Sequence, residues 1–368
     1  MKNTFGSSVS VTLFGESHGA YIGAVLDGLA PGIAVDCDFI ASQLSKRRPS
    51  GKISTSRVEA DKFEIVSGVY CGKTTGTPIT IIIPNENTKS GDYTRGPVRP
   101  GHADYTGYVK YHGFEDYRGG GHFSGRITAA LVAAGAVVIP ALSARGIRIG
   151  THIARCAGVA DKPFSCGMSD INSEIDALAA REFAVLDPSV EASMCGAIEA
   201  AASDGDSVGG VLETAVTGVP AGVGEPWFDT LEGTLAHALF SIPAIKGVEF
   251  GLGFAAADMR GSEVNDAFFV DNGWIVTETN NNGGINGGIS NGMPIIFRCA
   301  VKPTPSIFKP QRTVDINTNE ETVLNLKGRH DPAIVHRARV VVDSVAAIAL
   351  ADMLAQRYGT DWLGGRDS

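Results

Sequence analysis

Residues 127 to 144, ITAALVAAGAVVIPALSA, constrain the fold of this chain more than any other stretch. The run approaches the length of a membrane span and is flanked by Arg126 and Arg145, so either lipid or protein must hide it from water. It is rich in alanine and is interrupted by Thr128, Gly135, Pro140 and Ser143, which makes it a weak span on insertion energies. A core helix buried on all sides is the better expectation, with no membrane partner. The rest of the chain supplies material for such a core, since 43% of residues are hydrophobic and only 19% are charged.

Patterning elsewhere gives β-like runs at SVTLF, YIGAVLDG, TPITIIIPN, GGVLETAVTG and MPIIFRCAV. Helical stretches are expected around residues 188 to 202 and in VHRARVVVDSVAAIALADMLAQRYG, which Gly359 would stop. The strands come in groups rather than alternating with helices, which favours an α+β layered fold over a Rossmann sheet. No Pro/Ser-rich or charged linker divides the chain, so residues 1–368 read as a single domain.

A net charge of -9 argues against general nucleic-acid binding. The six cysteines are scattered, with no C-x-x-C pair, and read as reduced thiols. The amino terminus lacks the apolar stretch of a signal peptide, and the expected location is the cytoplasm. Three short motif matches fail on inspection. GVYCGKT has Ser67 where a P-loop needs glycine, DGDSVGG has no assignable general base, and GLGF is too short for a dinucleotide fingerprint.

Chemistry concentrates in a few polar segments. FGESHGAYIGAVLDG places Glu16, Ser17 and His18 in a glycine-flanked loop between two strand-like runs. SKRRPSGKISTSR gathers Lys46, Arg47, Arg48, Lys52 and Arg57 into a local positive patch, read as a strand-side arm toward a polyanion. RPGHADYTGYVKYHGFEDYRGGGHFSGR, residues 99 to 126, has no apolar run but contains Arg99, His102, Arg118, Ser124 and Arg126 around the turn Gly119–Gly120–Gly121. Arg126 stands at the start of the long apolar helix, where free N–H groups, a guanidinium fork and a glycine turn suit a phosphate or carboxylate. Downstream lie TNNNGGINGGISNG, KPTPS and KGRHDP, the last with Arg329 and Asp331 just before the final helix, where Asp331 has the chemistry of an N-cap.

In this order, GESHG, RRP, RPGHAD, DYRGGG, GDSxGG, GVPAGxGEP, SIPAIKGVEFG, NGGIxGGIS, KPT and GRHDP resemble the chorismate synthase family over nearly the whole chain. The resemblance implies a β-α-β sandwich, with a helical layer between two antiparallel sheets, assembled as a homotetramer that is a dimer of dimers. It implies a phosphate lyase that converts 5-enolpyruvylshikimate 3-phosphate to chorismate by anti 1,4-elimination, with reduced FMN and no net redox change. His18 would give the leaving phosphate its proton, His102 would serve the flavin near N1, and Asp331 would lie near N5. Arg47, Arg48, Arg99, Ser124, Arg126 and Arg329 match substrate-binding positions. Flavin contacts would come from His122, Phe123 and Ser124, from Pro243, Ala244 and Gly287, from Lys302, Pro303, Thr304, Pro305 and Ser306, and from Arg329. No metal is implied.

The chain departs from the family's common pattern at His122, Phe123, Pro243 and Pro305, so flavin contacts there rest on position rather than residue type. Two alternatives stand beside this reading. One is a non-catalytic flavin or anion-binding protein on the same scaffold, which would have lost His18, His102 or Asp331. The other is a bifunctional form that reduces its own flavin with a nicotinamide cofactor, for which Arg47 and Lys52 are the NADP-type positions. The chain has little length for that activity, so an external flavin reductase or other source of reduced FMN is expected.

Overall fold

In a computed structural model, residues 2–49, 51, 53–54, 60–86, 95–326 and 330–365 are described, which leaves Lys52, Arg57 and Arg329 outside the described residues. The first sheet contains β1 (Thr4–Phe5), β2 (Ser10–Gly15), β3 (Tyr21–Asp27), β4 (Glu64–Ser67) and β5 (Ile79–Pro84), in the antiparallel order β1-β2-β3-β5-β4. The second contains β6 (Arg148–Cys156), β7 (Val159–Ala160), β8 (Gly210–Thr217), β9 (Ile245–Phe250) and β10 (Ile295–Val301), in the antiparallel order β9-β10-β8-β6-β7. In β5 the strand period sends Ile79, Ile81 and Ile83 to the core and the intervening residues outward.

Between the sheets lies the helical layer, built mainly from α1 (Cys37–Arg47), α2 (Thr128–Ala144) and α3 (Val335–Tyr358). The apolar run at 127–144 becomes α2, packed on β3 and β5 of the first sheet, while α3 packs on β6 and β8 of the second. The two helices also run along each other, so α2 is covered on every side, as its uniform hydrophobicity requires. They meet closely at Gly135. A Cβ there would lie 2.3 Å from Cβ of Ser344, so any larger residue would force the layer apart. The whole forms an α+β sandwich with helices inside and antiparallel sheets outside.

Three local features bear on the readings above. The described start of the basic segment is helical rather than a strand-side arm: Lys46 and Arg47 close α1, whose N-cap Asp36 accepts from the amide of Phe39, and Arg47 is buried. At the other end of the layer, buried Asp352 of α3 accepts the amides of Ser7, Ser8 and Val9, tying the chain's start to the central helix. A hairpin of Phe268–Asp271 and Trp274–Thr277 turns at Asn272 and Gly273, both at the positive φ (49° and 85°) that a two-residue hairpin turn needs. It exposes Phe268, Val270, Trp274 and Ile275.

Candidate active site

The triple glycine is the hinge of the site's geometry. Gly119, Gly120 and Gly121 all have positive φ (60°, 82° and 52°), a run that residues with a Cβ rarely adopt. A Cβ on Gly119 would lie 2.6 Å from the ring of His18, and one on Gly120 would lie 3.2 Å from Nε2 of His102. The turn therefore threads between the two histidines that sequence reasoning singled out, and only bare backbone fits. It is locked to the His18 loop by the Ser17 amide, which donates to the Gly121 carbonyl at 3.0 Å, and by Nδ1 of His122, 2.8 Å from the Gly15 carbonyl. Arg118, grouped above with the anion-binding arginines, instead holds Asp116 through Nε and Nη2 at 2.8 and 2.9 Å.

A pocket of about 240 Å³ is lined by Arg47, Arg48, Ser124, Arg126, Asp331 and Arg337, among others. Its cations are built in rather than splayed on the surface. Arg47 reaches Asp61 at 3.0 Å; Arg126 donates to Asp61 from Nη1, to Asn85 at 2.9 Å and to the Pro84 carbonyl at 3.1 Å. Burial opposes the charge of Asp61, but the guanidiniums of Arg47 and Arg126 outweigh it and hold the carboxyl below its usual range. Burial also brings Arg47 down to about 10, which leaves it charged at neutral pH. Arg337 donates to Asp331 at 2.6 Å and to the Arg47 carbonyl at 2.7 Å, joining the last helix to the basic turn. Asp331 thus serves as an ion-pair partner, while the N-cap position of α3 is Ile334. Among the described residues, Nε of Arg47 and of Arg48 has no hydrogen-bond partner although both atoms are buried. Four guanidiniums face two carboxylates, an excess of positive charge suited to a polyanion.

Next to it opens a cavity of about 820 Å³, within the range of ligand sites. Arg99 and His102 line it, as do His122, Phe123, Ser124, Pro243 and Ala244, together with Lys302, Thr304, Pro305, Ser306 and Asp331. Ala244 is held at φ 77°, unusual for a residue with a side chain, and its carbonyl accepts the Lys302 amide at 3.0 Å. Oγ1 of Thr304 is buried without a partner among the described residues, the kind of orphan that a bound polar group would satisfy. These residues fit a flavin: a large cavity, apolar and aromatic walls, and polar groups contributed from several segments. Pro303 and Gly287 do not line this cavity; Gly287 sits on an exposed turn. The two pockets share Ser124, Pro243, Asp331 and Ile334 as a common wall. Arg329 and Lys52 lie outside the described residues.

His18 lies behind Gly119 and does not line either cavity, although Gly119 does. Sequence reasoning missed Asp61, Asp104 and Asn85, partners of predicted cations, and Arg337, the partner of the predicted Asp331. Asp104 stood inside the quoted RPGHAD motif and Arg337 six residues after Asp331. No spacing rule marks either as a partner before the fold is known.

Comparison with known proteins supplies the remaining context. Residues 9–355 match the family model described as chorismate synthase. Chorismate synthase of Thermococcus gammatolerans is 47% identical, over 96% of this chain and 97% of that protein. The same enzyme of Dehalococcoides mccartyi is 47% identical over 98% of both. A crystal structure of chorismate synthase superposes with a TM-score of 0.77 at 32% identity, covering 96% of this chain and 94% of the other.

Proposed function

This chain belongs to the chorismate synthase family, lyases of the shikimate pathway, and from that premise we propose that it converts 5-enolpyruvylshikimate 3-phosphate to chorismate and inorganic phosphate by anti 1,4-elimination, with reduced FMN bound and no net redox change. The observation that carries this reading is the common wall at Ser124, Pro243 and Asp331, which places a flavin-sized cavity against a pocket of converging arginines.

The substrate bears two carboxylates and a phosphate. Arg47, Arg48, Arg99, Arg126 and Arg337 supply the positive charge that a net acidic protein must concentrate locally, with Arg329 completing the set by family position. His122, Phe123, Ser124, Pro243, Ala244, Lys302, Thr304, Pro305 and Ser306 would hold the flavin, with Arg329 joining them by family position. When bound, reduced FMN would supply transient electron-transfer chemistry with no net redox change. The protein's own work would be orientation and proton placement, with roles assigned by family position: His18, from behind Gly119, would give the departing phosphate its proton, His102 would serve the bound flavin through Nε2, and Asp331 would stand where the substrate loses hydrogen. Retention of all three argues against a non-catalytic binding protein.

The monofunctional form, fed by an external flavin reductase or another source of reduced FMN, is the version proposed. The same reading takes the chain as one cytoplasmic domain in a homotetramer. A main core cluster that draws on residues from Val9 to Leu363, with a small second cluster around Phe164 and Ile171, supports the single domain, and the exposed apolar hairpin at Phe268–Thr277 supports self-association. The test is substitution of the histidines. His18→Ala and His102→Ala should each lower turnover by about 10²- to 10⁴-fold with circular dichroism unchanged. Near-wild-type turnover in a folded variant contradicts the role given to that residue.

A further inference from the structure

Asp104 opens the short helix Asp104–Lys110 and gathers three groups. Its Oδ2 accepts the backbone amide of Arg99 at 2.9 Å and Nε of Arg99 at 2.8 Å. Its Oδ1 accepts Nη2 of Arg99 at 2.7 Å and lies 2.7 Å from Nδ1 of His102. All three side chains are largely buried, at 18% exposure or less. We propose that Asp104 is a positioning residue of this site, one carboxylate that fixes the fork of Arg99 and turns the His102 ring so that its Cε1–Nε2 edge faces the glycine turn at Gly120.

The geometry contains a choice that Asp104 decides. Nη2 of Arg99 is also 3.2 Å from Nδ1 of His102. Arginine can only donate, so a hydrogen bond from Arg99 would require an unprotonated Nδ1 and would put the proton of a neutral ring on Nε2. The carboxylate is nearer and negatively charged, so Nδ1–H donates to Oδ1, and the neutral ring presents the Nε2 lone pair at its other edge. That edge lies against Gly120, where a Cβ would come within 3.2 Å of Nε2. Burial opposes the charge of Asp104, but hydrogen bonds from Arg99 and His102 hold its carboxyl well below the usual carboxylate range, so it remains an acceptor. Lys302, whose Nζ donates to the Gly101 carbonyl, and His122, His330 and Asp331 line the same cavity.

What the oriented edge does for turnover rests on the function proposed above; the orientation itself does not. The experiment is nitrogen-15 NMR of the ligand-free full chain labelled at histidine, read at a pH where the His102 ring is neutral and assigned with a His102→Gln variant. The wild-type ring should carry its proton on Nδ1. In Asp104→Ala the proton should move to Nε2, the form that a free imidazole side chain prefers and that Arg99 would then support. Asp104→Asn, whose side-chain oxygen still accepts from Nδ1, should restore the wild-type form. Turnover should follow, falling by about 10²-fold in Asp104→Ala and recovering in part in Asp104→Asn. A wild-type neutral ring protonated on Nε2 overturns the proposal without any variant, as does a tautomer indifferent to Asp104→Ala. The expected tautomer exchange with unchanged turnover would leave the placement standing and overturn the catalytic role of His102.

Discussion

Arg126 has its guanidinium tied at each nitrogen: Asp61 at Nη1, Asn85 at Nε and the Pro84 carbonyl at Nη2. Its side chain is only 4% exposed at the mouth of the long core helix. A lysine there keeps the charge but cannot reproduce three directional bonds, and Asp61 and Asn85 would lose a partner inside the protein. Arg126→Lys should therefore lower kcat/KM by roughly tenfold or more, the equivalent of about 1.5 to 3 kcal/mol for one charge-assisted hydrogen bond. Arg357→Lys, on an exposed position beside the Tyr358 ring, should be silent in the same steady-state assay. Equal kinetics for the two variants would reduce Arg126 to background charge. The arginines were legible as a class because RRP, RPGHAD and the residue after the glycine turn are short, distinctive strings. Their carboxylate partners were not legible: Asp61 and Asp104 acquire meaning only when the fold sets them within 3 Å of a guanidinium.

At the level of elements, the strands with a clean apolar pattern and the two long core helices could be read directly, with Gly359 ending α3 as expected. The strand β6 was not. It carries Thr151 and His152 in its centre, both fully buried, because Asp343 accepts from Thr151 at 2.6 Å and Asp161 and Glu213 flank His152 at 2.9 and 3.0 Å. Polar residues satisfied from other elements erase the alternation that marks a strand. This cluster also has a pH signature. Burial disfavours the His152 imidazolium, yet hydrogen bonds and charge from Asp161 and Glu213 outweigh it and raise the pKa above the ordinary 6.5. A folded pKa raised above the unfolded one means that the stabilisation is full below about 6.5 and is lost as pH rises through the raised value. Scanning calorimetry should show wild-type Tm falling across that alkaline window more than His152→Gln does. Parallel Tm profiles would remove the cation from the account of this strand.

For the whole molecule, the sandwich brings together segments far apart in sequence. The loop after β2, the end of α1, the glycine turn before α2 and the approach to α3 all open at the same end of the helical layer. Only there can a flavin-sized cavity and an arginine pocket share a wall. The central claim is that this shared site runs a redox-neutral elimination, and the most direct measurement is strictly anaerobic phosphate release from 5-enolpyruvylshikimate 3-phosphate, followed alongside the flavin spectrum. With reduced FMN the account predicts many phosphates released per flavin, with the flavin still reduced when substrate is exhausted, and no release with oxidised FMN. Turnover with oxidised FMN, or one flavin oxidised for each phosphate released, would contradict it.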